Sequence, residues 1–193
     1  LVGAAAQSGA AVWLLWLVQQ EGIQHLQVGN WPALFGIVLA IDLFSAIMVV
    51  MAAVVALAVA IYSQAGMDER RVRLGFYPLY FFLLMGVNGA FTTGDLFNLY
   101  VWFEVMLISS FVMIALGGDR PQIEGALKYV ILNLLSSTLF LSAIGLLYNL
   151  VGTLNMADLA LRLPQVQAGK QVTLVAVLFL VAFGIKSAVF PLF

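Results

Sequence analysis

Six apolar runs, each near the length at which a helix crosses a bilayer, decide what this chain can fold into. They lie near residues 1–18, 42–63, 75–92, 96–117, 127–151 and 172–193. A helix needs about 20 apolar residues to cross the hydrocarbon core. That core offers no water to backbone N–H and C=O groups, so a spanning segment is a helix or part of a closed barrel. Barrel strands alternate apolar and polar residues, and these runs do not alternate. The expected fold is therefore all-α: a polytopic transmembrane bundle of about six spans, forming a single membrane domain over 1–193. Composition agrees. The chain is 64% hydrophobic and 9% charged, against roughly 25% charged residues in soluble domains.

Several function classes drop out on the same grounds. The net charge of −1 and the absence of a basic run give nothing for nucleic acid to bind. With no cysteine, disulfides and thiolate metal centres are excluded. The one histidine, His25, sits in a segment read as a polar loop and suggests no metal site. No cofactor is expected. The chain opens on Leu1 rather than Met and both ends are apolar, so it reads as a piece of a larger subunit. A basic stretch ahead of the first run is missing, which argues against a signal peptide.

The second apolar run begins near Trp31 and is about 30 residues long, too long for one crossing. Part of 31–41 is expected as an interfacial or re-entrant lead-in, with Asp42 near the interface. Segment 155–163, NMADLALRL, is amphipathic enough for a short interfacial helix capped by Asn155 or Thr153.

Two opposite charges stand where a membrane helix tolerates them least. Glu104 lies in NLYVWFEVMLISSF and Lys186 in FLVAFGIKSAVFPLF. A charge at the bilayer centre costs about 2.5–3.5 kcal/mol on insertion scales, and such residues commonly mark an ion or proton path. Glu104 is nine residues beyond Asp95, roughly 13 Å at 1.5 Å per residue. Its side chain is too short to reach the interface from there. Pro191 lacks an N–H and clashes with the carbonyl four residues earlier, that of Ser187. The sixth helix should therefore kink or unwind beside Lys186, as helices lining a site at membrane depth do. Asn133, Ser136 and Ser137 share one helical face by their spacings of three and four. They serve either helix adhesion or a hydrated lining that passes protons between charges. Lys128 follows Glu124 by four residues and is either half of an ordinary interfacial pair or part of the transport path.

Three stretches carry a family resemblance: TTGDLFNLYVWFEVMLISSF, EGALKYVILNLLSSTLFLSAIGLLYNLVGTLNMADLA and VAVLFLVAFGIKSAVFPL. They resemble the D subunit of Mrp-type multisubunit sodium/proton antiporters, which is homologous to the antiporter-like proton-pumping subunits of respiratory complex I. GNWPALFGIVLAIDLFSAIMVVMAAVVALAVAIYS extends the likeness to nearly the whole chain. The resemblance implies that this piece corresponds to family helices two to seven, with a broken seventh helix. It implies that Glu104 and Lys186 form a charge pair controlling proton transfer, with Lys128 at the opening of the helix before. Ser187 and Pro191 then belong to the helix break.

The expected function is proton translocation in a multisubunit cation/proton antiporter, with Na+ or another monovalent cation exchanged. Partners would be the other subunits of the Mrp complex and the lipid bilayer of a prokaryotic inner (plasma) membrane. That is an ion-transporter subunit rather than an enzyme. A proton-pumping subunit of a complex I-like or hydrogenase-like redox complex is one alternative, in which case the whole would be a translocase. A non-transporting membrane scaffold is the alternative of another class.

Loop charge sets the expected orientation. Loop 64–74 holds Arg70, Arg71 and Arg73, and loop 118–126 holds Arg120, with Lys128 just beyond. Loop 152–171, on the other side by alternate crossing, holds only Arg162 and Lys170. Loops 64–74 and 118–126 are therefore expected in the cytoplasm. A cysteine introduced at Ser63 or Gln64 should resist an impermeant maleimide added outside intact cells and react in everted vesicles. Labelling from outside would refute the topology.

Overall fold

The computed structural model describes residues 1–31, 36–167 and 169–192. Among these residues, eight α-helices and one small hairpin follow in chain order. They are α1 Val2–Glu21, β1 Gln24–Gln27, β2 Val38–Ile41, α2 Leu43–Gly66, α3 Glu69–Arg73, α4 Phe76–Thr92, α5 Leu96–Ala115, α6 Arg120–Val151, α7 Met156–Arg162 and α8 Gly169–Lys186. Helices α1, α2, α5, α6 and α8 are long and apolar enough to cross a membrane, and α4 is a shorter apolar helix. The fold is thus a polytopic helix bundle. Neighbours pack as a chain: α1 on α2, α2 on α4, α4 on α5, α5 on α6, α6 on α8.

Between 21 and 42 the structure departs from the expected lead-in. Residues 38–41 form β2, paired antiparallel with β1 so that His25 faces Ala40 in register. His25 is thus in a strand, not a loop. Residues 32–35 of the expected lead-in lie outside the described residues. The physical reason is the short run 37–41, rich in β-branched residues, which pairs with 24–27 before Asp42 starts a helix. Asp42 caps α2 by accepting from the Ser45 N–H at 2.7 Å. That N–H, with the Ser45 hydroxyl, holds the Asp42 carboxyl below its usual range.

One end of the bundle is knitted by backbone hydrogen bonds between loops distant in sequence. Gly94 N–H donates to Val38 O, Leu96 N–H to Leu154 O, and Met156 N–H to Gly94 O. Asp95 caps α5 through the Asn98 N–H at 2.8 Å, while the Asn98 amide donates to Thr93 Oγ1 at 2.9 Å. Burial raises the Asp95 carboxyl above its usual range, opposed in part by the N–H groups of Asn98 and Phe97. The expected helix at 155–163 is α7, and Asn155 caps it through the N–H groups of Ala157 and Asp158. At the opposite end the Arg70 guanidinium lies beside Gly118, so loops 64–74 and 118–126 share one end.

Two boundaries move. Helix α6 begins at Arg120, earlier than the expected 127, because Asp119 and Pro121 form a favourable first turn for a helix. Helix α8 ends at Lys186 rather than running on to the described limit at Leu192; Phe193, the expected end, lies outside the described residues. The break expected beside Lys186 is a full termination. Ala188 N–H donates to Ile185 O and Val189 N–H to Gly184 O, with Ala188 at φ +50°. That is a Schellman closure with alanine at the left-handed position where glycine is usual. The Leu192 side chain folds back over the Gly184 Cα, where a Cβ would meet its Cδ1 at 2.7 Å.

Packing differs between the halves of the bundle. Ala46, Ala53, Ala56 and Ala60 of α2 are buried, as are Ala4 and Ala11 of α1, so these backbones approach closely. Tyr80 Oη then donates to Ala56 O at 2.5 Å across the α2–α4 interface. Gly86 and Gly89 of α4 face α5; a Cβ on Gly86 would lie 3.1 Å from the Trp102 carbonyl, and one on Gly89 would strike the Trp102 ring. In the later half, Phe140 is fully buried among the rings of Tyr100, Phe103, Phe179 and Phe183, at centroid distances of 5.1–6.2 Å. Ser63 is buried and donates to Ala60 O, whereas Gln64 is exposed, which makes Gln64 the usable position for a labelling cysteine.

The close α4–α5 contact yields a stability prediction. Gly89→Ala should cost about 1–3 kcal/mol by overpacking, read as a lower unfolding midpoint of the purified subunit. Adding Trp102→Phe, which shrinks the opposing ring, should recover part of that loss. An unchanged midpoint for Gly89→Ala would show that the helices are not in this register.

Candidate proton-transfer site

Glu104 occupies the middle of α5, and Lys186 is the last residue of α8. Both are half-buried. Helix α6 passes between them and supplies Ser137, which is 3% exposed. The Ser137 hydroxyl donates to Glu104 Oε1, and Lys186 Nζ donates to Ser137 Oγ at 3.4 Å. Among the described residues neither charge enters a direct ion pair. They meet through one hydroxyl.

The surroundings are apolar and aromatic. Lys186 Nζ lies 5.2 Å from the centroid of the Phe103 ring, within cation–π range. Phe103 is the neighbour of Glu104 in sequence, and Phe183 lies one turn before Lys186, so each charge carries an aromatic beside it into the Phe140 cluster. On its other side Lys186 borders a cavity of about 240 Å³, lined also by Ser110, Tyr129, Asn133, Phe103 and Met106. That volume is ample for water, which needs only about 10–15 Å³ and two to four polar partners. The cavity lies toward the end of the bundle where α5 runs into α6, since Ser110 follows Glu104 and Asn133 and Tyr129 precede Ser137.

The remaining expected residues divide. Ser136 donates to Ala182 O on α8 at 2.8 Å, a helix-to-helix clasp. Asn133 donates to Tyr129 O at 2.9 Å and reaches the cavity. Lys128 is two turns into α6, ion-paired with Glu124 at 2.7 Å, and its side chain is 72% exposed. The structure does not bring it to Glu104 or Lys186. Ser187 and Pro191 belong to the exposed turn after α8 and do not line the cavity. Sequence reasoning does not single out Phe103, Phe140 or Tyr129, and it marks Ser110 only as a polar residue in the Glu104 span, for helix adhesion or a hydrated lining. The available signals are that Phe103 adjoins Glu104 and that Ser110 follows it by six residues; Tyr129 and Phe140, on α6, are brought to the site by packing alone.

Comparison with known proteins places the chain among membrane antiporter subunits and their relatives. The chain is 48% identical over 176 residues to the Na(+)/H(+) antiporter D subunit of Alkalihalophilus pseudofirmus, covering 91% of this chain and 36% of that protein. It is 45% identical over 180 residues to the protein of the same name in Bacillus subtilis, covering 93% and 36%. The chain therefore spans about a third of the length of these relatives. Among solved structures, it matches part of the Mrp complex from Dietzia sp. DQ12-45-1b with a TM-score of 0.86 and 32% identity, covering 99% of this chain and 36% of the matched one. It matches part of the membrane-bound sulfane sulfur reductase, an archaeal respiratory membrane complex, with a TM-score of 0.90 and 29% identity, covering 98% and 39%. A family model described as NADH:quinone oxidoreductase/Mrp antiporter, transmembrane, matches residues 93–193, a stretch that contains α5 to α8 and both buried charges. The chain belongs to the NADH:quinone oxidoreductase/Mrp antiporter transmembrane family.

Proposed function

We propose that this chain forms the proton-transferring part of a multisubunit cation/proton antiporter, exchanging protons for Na+ in a prokaryotic plasma membrane. The carrying observation is the Glu104–Ser137–Lys186 hydrogen-bonded chain across α5, α6 and α8. Lys186 is the proton carrier: its ammonium borders the cavity, where it exchanges with water, and its four-carbon stem lets it move. Glu104 attracts the ammonium through an apolar medium, where Coulomb forces are far stronger than in water. Changing the charge on either group alters the hold on the other, which couples proton movement to the arrangement of the helices. Asn133 and Ser110 give the cavity polar walls, and the Lys186–Ser187 break frees the backbone beside the carrier. Partners are the other subunits of the Mrp-type complex, with loops 64–74 and 118–126 in the cytoplasm. The names of the relatives support this reading.

The likeness to part of the archaeal respiratory complex favours a second reading, a proton-pumping subunit driven by a redox partner. The two are separated by the driving force: a Na+ gradient alone should move protons in the first and not in the second.

Glu104→Gln keeps shape and hydrogen bonding but removes the charge. In the intact complex it should lower cation-driven proton flux in everted vesicles by about 100-fold, the lower range for a lost acid–base group, with normal assembly. Near-normal flux in a well-assembled variant would overturn the role of Glu104.

Charge and proton exchange are separable at Lys186. Lys186→Ala removes both. Lys186→Arg keeps the charge, yet arginine is never deprotonated in proteins. Both variants should lose transport at matched membrane abundance. Full flux with arginine would mean that the position needs only a fixed positive charge, as in a scaffold.

A further inference from the structure

We propose that the Ser137 hydroxyl is itself the relay through which a proton passes between Lys186 and Glu104, an assignment that rests on the transfer reading above. The evidence is the direction of the hydrogen bonds. Helix α6 carries four hydroxyls near this level. Ser136 donates to the Ala182 carbonyl of α8, Thr138 to Leu134 O and Ser142 to Thr138 O, so each is spent on backbone. Ser137 alone among them donates to an ionisable side chain, Glu104, and accepts from another, Lys186. Membrane serines commonly clasp a backbone carbonyl; Ser136 does this and Ser137 does not.

Among the described residues no other hydrogen-bonding group links the two charges. Glu104 is the only charged residue of α5, and Lys186 is separated from Lys170, the other charge of α8, by 16 residues, roughly 24 Å along the axis. Lys128 is engaged with Glu124 at the exposed start of α6. Glu104 does not border the cavity that Lys186 borders, so the serine stands between an amine at that cavity and a half-buried carboxylate away from it.

The step balances without any co-reactant. One Lys186 Nζ–H bond breaks as an H–Oγ bond forms on Ser137. The original Ser137 Oγ–H bond breaks as that proton joins Glu104 Oε1. The products are a neutral amine, an intact hydroxyl and a neutral carboxylic acid; no electrons change hands. The reverse step runs from the product orientation directly, and rotation of the hydroxyl back toward Glu104 readies another transfer in the same direction. The Lys186 contact is long, at 3.4 Å, so a small movement of the lysine side chain is enough to close or open the relay.

The test uses two near-isosteric variants in the intact complex. Ser137→Thr keeps the hydroxyl and Ser137→Val replaces it with a methyl, both adding the same bulk at a buried position. At matched abundance in everted vesicles, threonine should retain flux and valine should lose it by about 100-fold, the scale of a missing proton-transfer group. The double variant Ser137→Val with Glu104→Gln should be no worse than either alone, because both changes interrupt one step. Equal flux in the threonine and valine variants would overturn the relay. If both are lost from the membrane, Ser137→Cys against Ser137→Ala makes the same comparison with smaller side chains, and equal flux again refutes it. Glu104→Gln, measured alongside, keeps the two ideas apart. Loss there with full flux in Ser137→Val sinks the relay alone, whereas full flux in Glu104→Gln sinks the transfer reading beneath it.

Discussion

A carboxylate and an ammonium placed inside an apolar bundle must each find polar partners, and the later half of this structure is arranged around that requirement. Desolvating either ion is expensive, and a Coulomb attraction alone offsets it only when further hydrogen bonds complete the set. Glu104 and Lys186 are not pressed together as a tight ion pair. Ser137 stands between them, so that each charge keeps a hydrogen bond while the two remain separable. A direct buried pair would be hard to break, since removing one partner strands the other. A hydroxyl link is weaker and reversible, which suits a site whose charges must change.

The packing around the site follows from the same demand. Rings hold the space: Phe140 sits against Phe103, Phe179 and Phe183, filling the volume that the polar trio leaves. These large rigid groups position α5, α6 and α8 without adding polar atoms that would need partners of their own. In the first half α1, α2 and α4 pack by another rule. Small residues let backbones touch, and a few hydrogen bonds, such as Tyr80 to Ala56 O, pin the contacts. The two halves join through α4 and α5 at Gly86 and Gly89, and through the loop bonds that link Val38, Gly94 and Met156.

How much of this can be read from residues alone varies with the strength of the physical signal. The helices are legible because apolar runs of spanning length have few other solutions. Glu104 and Lys186 are legible because charges are costly in such runs. Ser137 is not separable from Ser136, since neighbouring helical residues point about 100° apart and sequence does not say which points at which neighbour. Only the packing of α8 turns Ser136 to a carbonyl and Ser137 to the charges. The hairpin at 24–41 escapes a sequence reading because strands of four residues carry almost no periodicity, and the apolar stretch 37–41 runs straight on into α2. The helix break is expected from Pro191, yet α8 stops five residues earlier. Its closure is made by backbone bonds around Ala188, a residue that gives no stop signal in sequence. Lys128 is legible as one of an i,i+4 pair with Glu124, which the structure contains, whereas its exposed place two turns into α6 depends on a helix start at Arg120 that the apolar run does not mark.

The termination of α8 at Lys186 has an electrical meaning. Peptide dipoles add along a helix to leave roughly half a negative charge at its C-terminus, felt within the last turn. Eighteen residues of α8 therefore direct the negative end of their combined field at the very residue that bears the ammonium. Had the helix continued through Val189 to Leu192, that end would have lain farther along and Lys186 would have sat at mid-helix, where the field largely cancels. Stopping the helix there makes the backbone a second, fixed counter-ion for the lysine, one that keeps its sign whatever the state of Glu104.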